Sequence, residues 1–216
     1  MKTNSNPDGK PRETMSSRER MRRVLTGILP DRVPFFPTIA QDHAAVACGR
    51  RFEDVLTDPD LLPGMMLGAA LRHGSDTVRF TMGYPDAWRN DKFVREADGK
   101  LLQYDRATGR AEGAFDVEGG GSLHLFEPPS AIMTVAEAQA IPVTTVDEYF
   151  QRGCLKAMAP KIEEAHAHGL FVVGLCSGQT LNYMVSQMGG SERALLSFYD
   201  EPDLALALIN KAVQIS

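Results

Sequence analysis

A short apolar run, Phe171-Val172-Val173-Gly174-Leu175, meets a polar turn and then a helical repeat, and this junction constrains the chain more than any other stretch. β-branched and aromatic residues in so short a run predict a strand buried on both faces. Ser177, Gly178 and Gln179 make the turn. From Thr180 onward, Leu181, Met184, Val185 and Met188 recur at the spacing of a helix with one buried stripe. The unit is therefore strand, loop, helix. In parallel α/β folds the loop leaving a strand's C-terminal end is where ligand chemistry is placed, which makes Ser177, Gln179, Asn182 and Tyr183 candidate site residues.

The N-terminal third repeats the pattern. Ser16 and Glu19 form a capping box, and Met21, Val24, Leu25 and Ile28 follow at helical spacing, so a helix begins near Ser17 and ends before Pro30. Val33-Pro34-Phe35-Phe36-Pro37-Thr38 reads as a buried extended run, and Gln41, Asp42 and His43 lie in the loop that leaves it. Asp42 serves there either as a substrate contact or as the cap of the next helix. Helical periodicity resumes from Ala44 to Leu56 with a break at Gly49-Arg50, and again from Leu61 to His73 behind Asp58-Pro59. Asp76 to Thr81 is the next strand, and Asp86 sits in its exit loop, either in the site or in an ordinary Pro-Asp turn.

Between Lys92 and Phe126 the period changes to alternation, with Asp98-Gly99 and Thr108-Gly109 as turns. This stretch is a β-hairpin insertion. Gly119-Gly120-Gly121 lacks the lysine and helix of a phosphate loop and reads as a connector. Helices follow at Thr134 to Ala140 and at Thr145 to Gly169, the second interrupted at Pro160. A last one starts at Asp200-Glu201-Pro202 and carries Leu204, Leu208, Ile209 and Val213. His166 and His168, two apart, cannot reach one metal from a regular helix.

Two segments resemble the uroporphyrinogen decarboxylase superfamily, which includes the cobalamin-dependent methyltransferases. One is Thr180-Leu181-Asn182-Tyr183-Met184-Val185 followed by Gly189-Gly190-Ser191; the other is the order of a helix, Pro30-Asp31-Arg32-Val33-Pro34 and an apolar strand. The resemblance implies an α/β fold, an incomplete TIM-type (β/α)8 barrel with an N-terminal helical segment and the β-hairpin insertion. It implies the N-terminal part of such a barrel over residues 15–216, while residues 1–14, polar with two prolines and Asp8-Gly9, read as a tail that buries too little to order itself. The resemblance places Tyr183 against substrate and makes Asp86 the nearest match to the family's acidic residue; with these, the strand-end loops offer His43 as a further catalytic candidate and Gln41, Asp42, Ser177, Gln179 and Asn182 as binding residues.

The porphyrinogen decarboxylases carry an arginine pair in the loop that is Ile39 to His43 here, because a substrate with eight carboxylates needs bidentate cations. That pair is missing, which favours a methyltransferase over a decarboxylase. A non-catalytic binding subunit is the third reading. The methyltransferases hold zinc through cysteine and histidine, at positions expected beyond Ser216, so the chain itself is expected to carry no metal or cofactor while the full-length protein uses zinc and a corrinoid. The implied substrate is a small molecule or a corrinoid protein. Self-association, or a complementing C-terminal half, is expected to cover the open side of the barrel.

Composition narrows the partners. A net charge of −5 and a pI near 5.6 disfavour nucleic acid and anionic membranes. No apolar run approaches the ~20 residues that span a bilayer, and the polar opening has no apolar signal core, so a cytoplasmic location is expected. Cys48, Cys154 and Cys176 are too far apart for a metal knuckle.

Overall fold

The structure, a computed structural model, describes residues 13–81, 83–126, 131–175 and 180–215. The first half contains helices α1 (Ser17–Leu25), α2 (Gln41–Ala47), α3 (Phe52–Thr57), α4 (Leu62–Arg72) and α5 (Asp86–Asp91). Its strands are β1 (Thr77–Phe80), β2 (Lys92–Ala97), β3 (Lys100–Asp105), β4 (Ala111–Asp116) and β5 (Ser122–Leu125). Then come α6 (Val135–Ala140), α7 (Val146–Gln151), α8 (Ala159–Ala167), β6 (Phe171–Gly174), α9 (Thr180–Met188), α10 (Ser191–Asp200) and α11 (Pro202–Ile215). No helix is long and apolar enough to cross a membrane among the described residues. The architecture is mixed α/β, and the described residues form no closed barrel.

Two compact units divide the chain. The first holds the described residues through His124 together with Arg152–Leu175; the second holds those from Leu125 to Gln151 and from Thr180 on.

In the first unit β1 and β6 pair in parallel, Thr77 opposite Phe171 and Phe80 opposite Gly174. The stretch around Phe35 runs beside the start of β1, since the Asp76 N–H donates to the Phe35 carbonyl at 2.8 Å and the Phe171 N–H to the Asp76 carbonyl at 3.0 Å. The strand expected at Val33 to Thr38 is nevertheless not formed, and among the described residues the parallel sheet consists of β1 and β6. The burial expected for the Phe35 stretch and for β6 is not found either: Phe35 and Phe36 are each 47 % exposed, and β6 is half-buried over Phe171 to Val173 and exposed at Gly174. β6 is an edge, since among the described strands it has β1 as its one neighbour.

Charge ties these runs together at their N-terminal ends. Arg20, buried on α1, bonds Asp31 at 2.7 Å and also Asp76, while Arg32 reaches Asp76 at 2.6 Å. Asp76 has no exposed surface and also accepts from the Phe35 N–H at 2.6 Å. Burial pushes its carboxyl up, but the hydrogen bonds from Arg32, the Phe35 N–H and Ser17 outweigh that and hold it below the usual range. The Asp31 carboxyl is held well below that range by Arg20. In a strand-to-helix fold this end carries stability and the opposite end carries ligand.

α1 begins where expected, with Ser16 Oγ accepting from the Glu19 N–H at 3.2 Å. It stops at Leu25, earlier than the apolar spacing implied, because Gly27 takes φ +73° and leaves Ile28 54 % exposed. The expected cap by Asp42 is corrected too: α2 starts at Gln41 behind Ala40, so Asp42 stands in the first turn. Asp58 does cap the next turn, accepting from the Asp60 N–H at 3.2 Å.

The insertion is a four-stranded antiparallel sheet, β2-β3-β4-β5. Asp98 and Gly99, at φ 51° and 71°, make the two-residue turn that the Asp-Gly pair demands. Val94, Leu101 and Phe115 join the first unit's core with Leu67, Val78 and Phe80. The break expected at Pro160 lies earlier, over residues 152–158, where Gly153 takes φ +77°; Pro160 falls in the first turn of α8, where its missing N–H costs nothing.

In the second unit Met184, Met188, Leu204 and Leu208 form a core with Ala138, Ala194 and Ala205. Thr134 and Glu137 close a capping box on α6. Leu181, expected on the buried stripe of α9, is 48 % exposed, and Val213 on α11 is 64 % exposed, because this core lies against a narrower face than the periodicity implied.

Candidate functional site

Past the C-terminal ends of β1 and β6 the first unit opens into two adjoining clefts. The larger, about 170 Å³, is walled by Gln41, Leu56, Asp60, Pro63, Tyr84 and Met158. The smaller, about 100 Å³, is walled by Ile39, Gln41, Met66, Arg79, Thr81 and Leu175. Gln41, Leu62, Pro63 and Thr81 line both. The position follows from the chain's winding: Thr81 and Leu175 are the first residues beyond their strands, and Gln41 opens the helix that follows the Phe35 stretch. Mostly apolar walls with a few converging polar groups are the make-up of small-molecule sites.

Arg79 comes to the smaller cleft through strand alternation. Val78 and Phe80 point into the core beneath, so Arg79 stands on the opposite face, half-buried, and donates to the Ile39 carbonyl at 3.3 Å. On the rim of the larger cleft, Arg89 holds Asp60 through Nε at 2.8 Å and Asp86 at 3.3 Å. Tyr84 and Trp88 pack ring to ring, 4.5 Å between centroids.

The sequence candidates separate on the structure. Gln41 lines both clefts. Asp42 is exposed. His43 turns to His73, Nε2 to Nε2 at 2.9 Å, with the rings stacked 5.0 Å apart. Asp86 opens α5, its N–H bonded to the Arg152 carbonyl at 2.7 Å and its carboxylate near Arg89 and Lys156. Asn182 and Tyr183 belong to the second unit, Asn182 exposed and Tyr183 half-buried. Ser177, Gln179 and Cys176 lie outside the described residues.

Tyr183 is unusual. Its Oη is buried without a hydrogen-bond partner among the described residues, and burial raises its pKa. It is therefore not a core tyrosine bonded to a neighbouring backbone group among the described residues. A buried hydroxyl left unpaired costs about 1–3 kcal/mol, which marks it for a partner of its own.

Arg79, Tyr84 and the Asp60–Arg89 pair were not singled out from the sequence. Arg79 left one signal there, a charged residue alternating with Val78 and Phe80 inside a strand pattern. Among the described residues no three His, Cys, Asp or Glu side chains come together to hold a metal. Compared with protein-family models, with curated proteins and with solved structures, the chain matches none.

Proposed function

We propose that the chain is the N-terminal portion of a TIM-type barrel of the uroporphyrinogen decarboxylase superfamily, and that the complete protein transfers methyl groups with a corrinoid as carrier. The observation that supports this best is the cleft past the C-terminal ends of two parallel strands, walled by Gln41 from the loop where the decarboxylases carry paired arginines. Clefts of about 170 and 100 Å³ suit a small substrate. An octacarboxylate would need several cations, and Arg79 is the one arginine on the walls of these two clefts.

In this reading Gln41 orients the substrate through its amide, and the apolar walls exclude water from the transferred methyl group. The test is spectrophotometric. The complete gene product, given methylcobalamin and a panel of small thiols, is expected to demethylate the corrinoid with an acceptor-dependent absorbance change, and to leave uroporphyrinogen unaltered. Decarboxylation of uroporphyrinogen without corrinoid demethylation would overturn the proposal in favour of the decarboxylase.

A further inference from the structure

We infer that the smaller cleft binds the carboxylate of a short-chain organic acid, with Arg79 as its anchor. The inference rests on the proposed function only in making that acid the methyl donor or acceptor; the binding itself stands on the geometry of the first unit.

Arg20, Arg23, Arg32, Arg89 and Arg193 are the other described arginines that are not fully exposed, and each reaches a carboxylate. A guanidinium drawn out of water is expensive without an anion, and the pattern follows from that cost. Arg79 departs from it. Among the described residues its one hydrogen bond is through Nη2 to the Ile39 carbonyl, and no carboxylate lies within ion-pair distance. Nε and Nη1 are left with donor capacity, and a guanidinium presents its donors as a planar fork matched to the two oxygens of a carboxylate.

The surroundings narrow the ligand further. Ile39, Met66, Phe80 and Leu175 make the neighbouring walls apolar, so an anion at Arg79 is attracted through a medium less screening than water while its alkyl part lies against hydrocarbon. The Gln41 amide, on the same wall, offers one acceptor and two donors to a second polar group. The volume of about 100 Å³ admits a short chain. One arginine matches one carboxylate.

Propionate and propionamide have the same heavy-atom shape and differ in charge, which makes them the probes. Titrated by calorimetry into the 216-residue protein at low salt, propionate is expected to bind saturably and to weaken as salt is added. Propionamide should bind about tenfold more weakly or worse. Arg79→Gln should reduce propionate to the level of the amide, with the circular dichroism spectrum and melting temperature unchanged. Equal binding of acid and amide, no binding of propionate, or undiminished binding to Arg79→Gln each overturns the inference. Where Arg79→Gln fails to fold, the comparison of acid with amide on the unaltered protein decides. Corrinoid demethylation is read by a separate assay without propionate, so failure of one reading does not register as failure of the other.

Discussion

Replacing Asp76 by asparagine perturbs the buried charge network at its centre and lets the cost be worked from the structure. The carboxylate accepts from Arg20, from Arg32 at 2.6 and 3.1 Å and from the Phe35 N–H at 2.6 Å, with no exposed surface. Asparagine keeps the size and one acceptor oxygen, but sets an N–H donor against groups that are themselves donors. Breaking a buried ion pair from one side costs ~3–5 kcal/mol, because the opposite charge remains. Arg20 retains Asp31 at 2.7 Å and Arg32 retains Glu13 at 2.8 Å, which places the expected loss near the lower end, about 3 kcal/mol. For a chain of this length each kcal/mol moves the melting temperature by ~2–4 °C, so a fall of about 6–12 °C is expected. Trp88, the single tryptophan, lies in the first unit, so its fluorescence during urea unfolding reports that unit. Combining Asp76→Asn with Arg20→Gln should give a coupling energy above ~1 kcal/mol. A loss under ~1 kcal/mol for Asp76→Asn, with additive singles, would refute the view that this network holds the N-terminal ends of the strands together.

Acid should act through the same residues. The Asp31 and Asp76 carboxyls both sit below their usual range in the folded chain, so their stabilisation is complete above the unfolded value of ~4 and is lost as pH falls through the folded values. The urea midpoint of the first unit is expected to decline below pH ~4, and less steeply in Asp76→Asn; parallel curves for the two proteins would contradict this. Tyr183→Phe removes a hydroxyl that has no partner among the described residues. Stability of the second unit should hold or rise by up to ~1 kcal/mol, while methyl transfer by the complete protein falls about tenfold or more, ~1.4 kcal/mol of transition-state stabilisation. Full activity with lowered stability would make Tyr183 a packing residue.

Local chemistry was legible in the chain itself. The Ser16 cap of α1, the Asp58-Pro59 start and the Asp98-Gly99 turn act over two to four residues, so a short window contains both partners of each bond. The strand positions at Thr77 and Phe171 and the hairpin insertion were legible too, from period and turn residues. Gln41 could be named from its place after an extended run, since the winding of parallel strands sends such residues to the ligand end. What the sequence could not decide is non-local. Arg20 and Asp76 are 56 positions apart, and nothing near either names the other. Whether Phe35 and β6 are covered depends on which strands stand beside them, and the loss of His43 to His73 depends on how α2 meets α4. Arg79 has no carboxylate partner among the described residues because of where β1 sets it beside the cleft, and Tyr183 Oη is buried because the second unit packs around it; both are set by three-dimensional neighbours rather than by adjacent residues.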